Sequence, residues 1–262
     1  MRPDAPSGSL SMGRMGSAGR RAGAAPIAGH PRSTRRRQAM DSLALILEAF
    51  DPVAERSLLD IGCGSGTLAR ALAARGATVT GIDPNPAAVA AARHAVPTGR
   101  FAVAGAEALP FASASFDGAI VLNALHHVPD APAALAEAAR IVRPGAAILV
   151  IEPLAEGSYF TALRLIEDEI TVRRAAQAAL AAAIAAGRFA CQRDITFARR
   201  ESFASVDEFL RRVLAVDPAR AEAVRDRRAQ IEAILSDVAE SDPERGFALV
   251  QPLRAQVLRN RP

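Results

Sequence analysis

The chain has 262 residues, half of them apolar, with a formal net charge of +4, no tryptophan and a single tyrosine. That length and composition fit one globular domain large enough to bury a substantial core. They exclude a membrane-spanning helix: the longest apolar candidate, Ala175 to Ala186, is alanine-dominated and interrupted by Gln177, well short of the roughly 20 residues a span needs.

The positive charge sits at one end. Residues 1–39 carry eight arginines (Arg2, Arg14, Arg20, Arg21, Arg32, Arg35, Arg36 and Arg37) against Asp4 alone, so the remainder is mildly acidic. Nucleic-acid binding calls for a basic face on the domain, often with aromatic side chains for stacking, so no nucleic-acid partner is expected. Residues 1–38, rich in Arg, Gly and Pro without apolar periodicity, are expected to form a disordered leader, with the folded domain over 39–262. The leader reads equally as an organelle transit peptide or as an over-long start ahead of Met40. Cys63 and Cys191 lie far apart without a metal-type spacing, which points to a reducing cytoplasm, no disulfide framework and no metal centre.

In chain order, Asp41-Ser42 caps a helix with Leu43, Ile46, Leu47 and Phe50 on one face, ended by Asp51-Pro52. Next comes Ser57-Leu58-Leu59-Asp60-Ile61, a strand running into Gly62-Cys63-Gly64-Ser65-Gly66 and then a helix from Thr67. Glycine serves where backbone must turn sharply or lie against a ligand, and the amides opening the next helix favour an anionic group, so this stretch should grip a nucleoside-containing cofactor. A second strand ends in Asp83, whose carboxylate would stand beside the glycine loop and could accept both ribose hydroxyls. Pro84-Asn85-Pro86 opens a helix through His94. Phe101 to Ala104 is a third strand, and Gly118 to Leu122 a fourth, leading into Asn123-Ala124-Leu125-His126-His127. Asp130 caps a helix to Val142, Arg143-Pro144-Gly145 turns, and Ala147 to Ile151 is a fifth strand ending at Glu152-Pro153.

Strictly alternating strands and helices imply an α/β fold with a mostly parallel sheet, helices on both faces and the ligand at the carboxyl ends of the strands. Beyond Gly157 the alternation stops. Phe160, Leu163, Ile166 and Ile170 mark one helix continuing to Gly187, and Glu167-Asp168-Glu169 reads as a solvated face, with Glu169 paired to Arg173. Ile195 to Phe197 suggests an antiparallel strand, Ser205 with Glu208 a capping box for helices to about residue 240, and Phe247 to Leu258 a last strand.

Five landmarks in order carry a resemblance: the glycine loop, Ala108-Leu109-Pro110-Phe111, Ser115-Phe116-Asp117, Leu125-His126-His127, and Arg140-Ile141-Val142-Arg143-Pro144-Gly145. Over residues 56–152 the chain resembles class I S-adenosylmethionine-dependent methyltransferases, in particular the ubiquinone and menaquinone C-methyltransferase branch with its small-molecule enzymes. The resemblance implies a Rossmann-like cofactor core over 56–152 and an acceptor-side helical elaboration over 157–245. It implies that Gly62, Gly64 and Gly66 border the methionine and ribose parts, Asp60 holds the methionine amino group, Asp83 takes the ribose hydroxyls, and Asn123 faces the methionine portion. Adenine would fall to the backbone amide of Ala106 or to Glu107, because Gly105 stands where the family places an acid. The implied reaction is in-line methyl transfer to an O, C or N nucleophile of a small molecule, leaving S-adenosylhomocysteine.

His126, His127 and Glu152 are the candidate general bases, against the plainer reading of packed or hydrogen-bonded side chains. Cys63 reads as a loop filler and Asp117 as a structural cap. Abundant alanine and leucine point to a lipophilic acceptor, contacted by residues 157–187, the 43–50 helix and the 206–240 insertion. Two other readings remain: a non-catalytic S-adenosylmethionine-binding protein and a nicotinamide-dependent oxidoreductase, whose glycine fingerprint would put Thr67 or Ala69 at its third glycine.

Overall fold

The computed structural model describes residues 41–260; the Arg-rich leader expected over 1–38 lies outside them. Five parallel strands, β1 (Ser57–Ile61), β2 (Thr78–Asp83), β3 (Arg100–Val103), β4 (Phe116–Leu122) and β5 (Val142–Pro153), form most of one sheet. Its order is β3-β2-β1-β4-β5-β8-β6, in which β8 (Gly246–Asn260) runs antiparallel between β5 and β6 (Phe189–Phe203), and the short β7 (Glu240–Asp242) pairs with β8. The order reverses between β1 and β4, which opens a crevice at their carboxyl ends.

The central strands are buried on both faces, and alternate residues feed two different cores. Leu59, Ala119, Val121, Ile148 and Val150 pack under α4 (Ala131–Ile141) and α6 (Ile170–Ala185). Leu58, Ile120, Leu149 and Ile151 pack under α1 (Ser42–Ala49), α2 (Thr67–Ala73) and α3 (Pro86–Ala95). The caps are those that the side chains offer: Asp41, Asn85 and Asp130 each accept a backbone amide of the first turn. Ser205 opens α7 (Val206–Val216) by accepting from Glu208 N, while Glu208 reaches back to the amide of Ala204, one residue ahead of the cap.

Three expectations change in detail. The fifth strand begins at Val142, opposite Phe116, and Arg143-Pro144-Gly145 is absorbed as an irregularity before Gly118 pairs with Ala147. The helix expected from Phe160 to Gly187 is two, α5 (Ser158–Leu163) and α6. Leu163 and Ile166 pack into a third core, whereas Ala176 and Leu180 belong to the first, and Asp168 restarts the chain by accepting from Ile170 N. One straight helix could not serve both cores. Finally, β6 runs for fifteen residues instead of the three expected.

That length matters for the site. β8 pairs with β5 only as far as Leu253 opposite Pro153, while β6 and β8 continue together to Phe203 opposite Phe247. The pair overshoots the carboxyl edge of the parallel strands. On the overshoot α5, α7 and α8 (Ala221–Val238) build the third core around Phe203, Phe209, Ile231, Leu235 and Leu249.

A Cβ at Gly118 would lie 2.3 Å from the ring of Phe50 and 3.1 Å from the Ala147 carbonyl oxygen. Phe50 is fully buried against the sheet, so neither neighbour can yield cheaply. Gly118→Ala should cost about 1–3 kcal/mol through overpacking, read as a lowered midpoint in urea unfolding; an unchanged midpoint would show that α1 is free to shift.

Candidate active site

At the carboxyl end of β1 the chain turns through Gly62, whose amide, with that of Cys63, donates to the Ile82 carbonyl at 2.8 and 2.9 Å. Gly62 has φ +76°, and a Cβ there would strike that of Ala124 at 2.4 Å, so the loops leaving β1 and β4 touch only because this residue is glycine. Gly66, at φ +82°, begins α2 against Ala92. Gly64 differs: a Cβ there would meet nothing within 4 Å, so its backbone faces open space. Asp83 steadies this shelf, accepting from Gly64 N through Oδ2 and from Asn85 N through Oδ1, both at 2.9 Å.

Two polar atoms on the shelf are buried without a partner, Asp60 Oδ2 and Asn123 Oδ1. Burial of Asp60, and secondarily the nearby charge of Asp83, pushes its carboxyl up to about 7. Asn123 holds φ +53°, a left-handed conformation that asparagine tolerates better than most residues. An orphaned buried acceptor is costly unless something donates to it, and the described side chains supply no donor to either atom. The same environment pushes the Cys63 thiol up to about 12, by burial first and then by Asp60, which suits a filler and not a nucleophile.

Beyond Asn123 a three-residue 3-10 turn, Leu125–His127, is held by one carboxylate. Glu152 Oε1 accepts from the amides of Ala124 and Leu125 at 2.9 and 2.8 Å, and Oε2 from that of His126 at 3.3 Å. The same Oε2 meets His126 Nδ1 at 2.5 Å. Because the carboxylate accepts, Nδ1 carries the proton and Nε2 is left as the acceptor. His127 lies beside it, ring centroids 4.0 Å apart. It is the more exposed of the two, yet desolvation of its ring and then the neighbouring His126 hold its pKa below the ordinary value.

After β3, Ala106 is buried, and a Cβ at Gly105 would meet Glu107 Oε2 at 2.8 Å. The Glu107 carboxylate thus fills the room beside Gly105. Val103 pairs with Asp83 and is half exposed, an apolar shelf that the sequence had not singled out.

Beside the 3-10 turn lies a cavity of about 160 Å³, lined by Asn123, both histidines, Tyr159, Arg199 and Arg220, among others. A second groove, about 590 Å³, shares the histidines and runs along Val172, Ala175, Ala179 and Ala182 of α6. The 43–50 helix lines neither, because Phe50 turns it onto the sheet. Glu169 and Arg173 pair as expected, at 2.8 Å, but both are buried and not solvated. Arg173 also donates to Leu154 O and Gln251 Oε1 and lies over the Phe160 ring, so the pair bolts α6 to the sheet. Arg199 and Arg220 come from β6 and the turn after α7; no local motif announced them.

Residues 59–150 match the family model described as a methyltransferase domain. Together with the sheet order, that is decisive. The chain has the class I methyltransferase fold. Over 105 residues it is 40% identical to the ubiquinone biosynthesis O-methyltransferase of Paracidovorax citrulli, covering 38% of this chain and 44% of that one, so it spans under half the length of the curated relative. The structure of YcgJ from Bacillus subtilis superposes with TM-score 0.63 at 22% identity, over 84% of this chain and 98% of the other. The methyltransferase fold also hosts other chemistry: a structure described as the [4+2]-cyclase SpnF superposes with TM-score 0.56 at 21% identity, over 84% and 80% of the two chains. Activity therefore has to be argued from the site.

The raised carboxyl of Asp60 has a measurable signature. The folded state keeps a proton that the unfolded chain releases above its ordinary 3.8, so stability should fall by about 2–4 kcal/mol as pH rises from there to about 7. Asp60→Asn should remove that slope. Urea unfolding of both proteins at pH 5 and pH 8 checks it, and parallel pH dependence would show that Asp60 titrates normally.

Proposed function

We propose that the protein transfers a methyl group from S-adenosylmethionine to a small-molecule acceptor. The observation that carries this is the pair of buried unpartnered oxygens, Asp60 Oδ2 and Asn123 Oδ1, beside the open backbone of Gly64 and the carboxylate of Asp83. These residues fit the cofactor. Asp60 would take the ammonium of the methionine part, a charge that favours the carboxylate and releases the proton held up to about 7. Asp83 would receive the ribose hydroxyls, Gly62 and Gly66 would border the ligand, and Ala106 with Glu107 would hold adenine above Val103. When bound, the cofactor supplies an activated methyl group on a sulfonium.

The chain's own part is positioning and proton handling. Asn123 orients the methionine portion, and the walls bring the acceptor into line and exclude water. His126 is the proton acceptor: its Nδ1 is fixed by Glu152 and its Nε2 is free at the cavity. Glu152 has all its capacity committed to the 3-10 turn, so it acts as a positioning residue. His127 lines both cavities, and desolvation of its ring, then the neighbouring His126, weakens its hold on a proton. The alanine groove of α6 suits an apolar part of the acceptor. Among the described residues no helix is long and apolar enough to cross a membrane, and two free cysteines suit a reducing cytoplasm.

Calorimetric titration with S-adenosylhomocysteine, with NADH as control, tests the cofactor. Binding of the former near micromolar, about −8 kcal/mol, is expected, followed by transfer of a labelled methyl group to members of an acceptor panel. Binding of NADH alone would overturn the reading, and cofactor binding with no transfer to any acceptor would leave a non-catalytic binder. Asp83→Ala should weaken S-adenosylhomocysteine by about 1–3 kcal/mol; equal affinity would remove Asp83 from the ribose. His126→Ala should lower kcat by about 10²–10⁴-fold with little change in cofactor affinity. A variant that keeps its kcat and its pH profile would assign the proton elsewhere.

A further inference from the structure

The cavity beside His126 is rich in hydrogen-bond donors, which the alanine-rich sequence did not foretell. Three guanidinium groups line it, Arg173, Arg199 and Arg220, with Glu169 as the acid among the lining residues. Arg173 is fully engaged with Glu169, Leu154 and Gln251. Arg220 is held by Glu167 and the Val213 carbonyl and stands 3.8 Å from Glu169, while Arg199, its side chain 40% exposed, is paired through Nη2 with the less exposed Glu201. Arg199 Nε is buried with no partner at all. Tyr159 adds a phenol that makes no hydrogen bond among the described residues.

A metal ion is the competing occupant, because His126, His127 and Glu169 each offer a ligand atom within 4.8 Å of the others. The charges oppose it. Glu169 already carries the Arg173 guanidinium, and Arg220 stands 3.8 Å from its other oxygen, so a cation would meet two like charges at its only anionic ligand. An anion would have Glu169 as a neighbour, but one already neutralised by Arg173, and would satisfy the orphaned Nε of Arg199.

We infer that the acceptor carries an anionic group, a carboxylate in its simplest form, received by Arg199 and Arg220 in this cavity. The inference rests on the methyl-transfer reading for calling the occupant an acceptor. Arg199 is then a specificity-determining residue: its Nε and the Tyr159 hydroxyl meet the anion, while the nucleophilic atom faces His126 and Asn123. The apolar groove along α6 leaves the rest of the molecule free to be hydrophobic.

The test uses the full chain saturated with S-adenosylhomocysteine, titrated by NMR with benzoate and with its neutral isostere benzamide. Benzoate should bind about tenfold tighter than benzamide, and added sodium chloride should weaken benzoate alone. Arg199→Gln should abolish the preference while leaving the S-adenosylhomocysteine affinity and the melting temperature unchanged; Arg188→Gln, at an exposed position outside the cavity, should preserve it. Equal binding of the two probes, binding of neither, or a preference that survives Arg199→Gln would overturn the inference. Failure of S-adenosylhomocysteine to bind would count against the methyl-transfer reading, and the two probes would then be compared on the ligand-free chain, where the same preference tests the anion site on its own.

Discussion

Glu152 stands at the end of β5 with its carboxylate turned under the loop that leaves β4, and three consecutive amides and an imidazole converge on it. Charge-assisted hydrogen bonds of this kind are the strong ones, and here they substitute for the regular pairing that ends with the strands. Much follows from that convergence. Ala124 is brought against Gly62, which forces the first position of the loop to be glycine. Asn123 is driven into a left-handed conformation that leaves its side-chain oxygen unpartnered in the crevice. His126 is fixed with one nitrogen bound and the other presented.

The glycine-loop shelf carries an electrostatic tension of its own. Two carboxylates, the buried Asp60 and the half-buried Asp83, stand close together, and the one without hydrogen-bond partners yields by holding a proton. Asp83 is anchored by two backbone amides and bears the loop. A cationic ligand group relieves this tension, so the shelf is less stable empty and ionised than filled, which is the usual relation between binding sites and the folds that carry them.

Much of this was legible in the sequence wherever the signal was local. The alternation of apolar runs with capped helices from Asp41 to Pro153 gave the parallel sheet, and the glycines marked the turn that lets β1 and β4 meet. Where residues answer to distant partners, local pattern failed. The apolar face from Phe160 to Ile170 looked continuous, but its members belong to different cores. Glu169 looked solvated because its neighbours are charged, yet it is buried and paired with Arg173, which Gln251 and the Leu154 carbonyl hold in place. Arg199 and Arg220 reach the cavity from segments that no spacing links to His126. Composition averaged over the chain suggested an apolar pocket, and it describes the α6 groove well but not the wall beside it.

The overshoot of β6 and β8 past the parallel strands places the glycine-loop shelf and the arginine-bearing wall on different foundations. The shelf stands on the two cores of the central sheet, whereas the far ends of β6 and β8 stand on a third core, with α5, α7 and α8 around Phe203 and Phe209. Substitutions in separate cores tend to add without interfering. On the methyl-transfer reading proposed above, mutational drift in the wall would re-shape what the protein accepts while the residues that would hold the donor stay untouched, a division of labour written into the lengths of two strands.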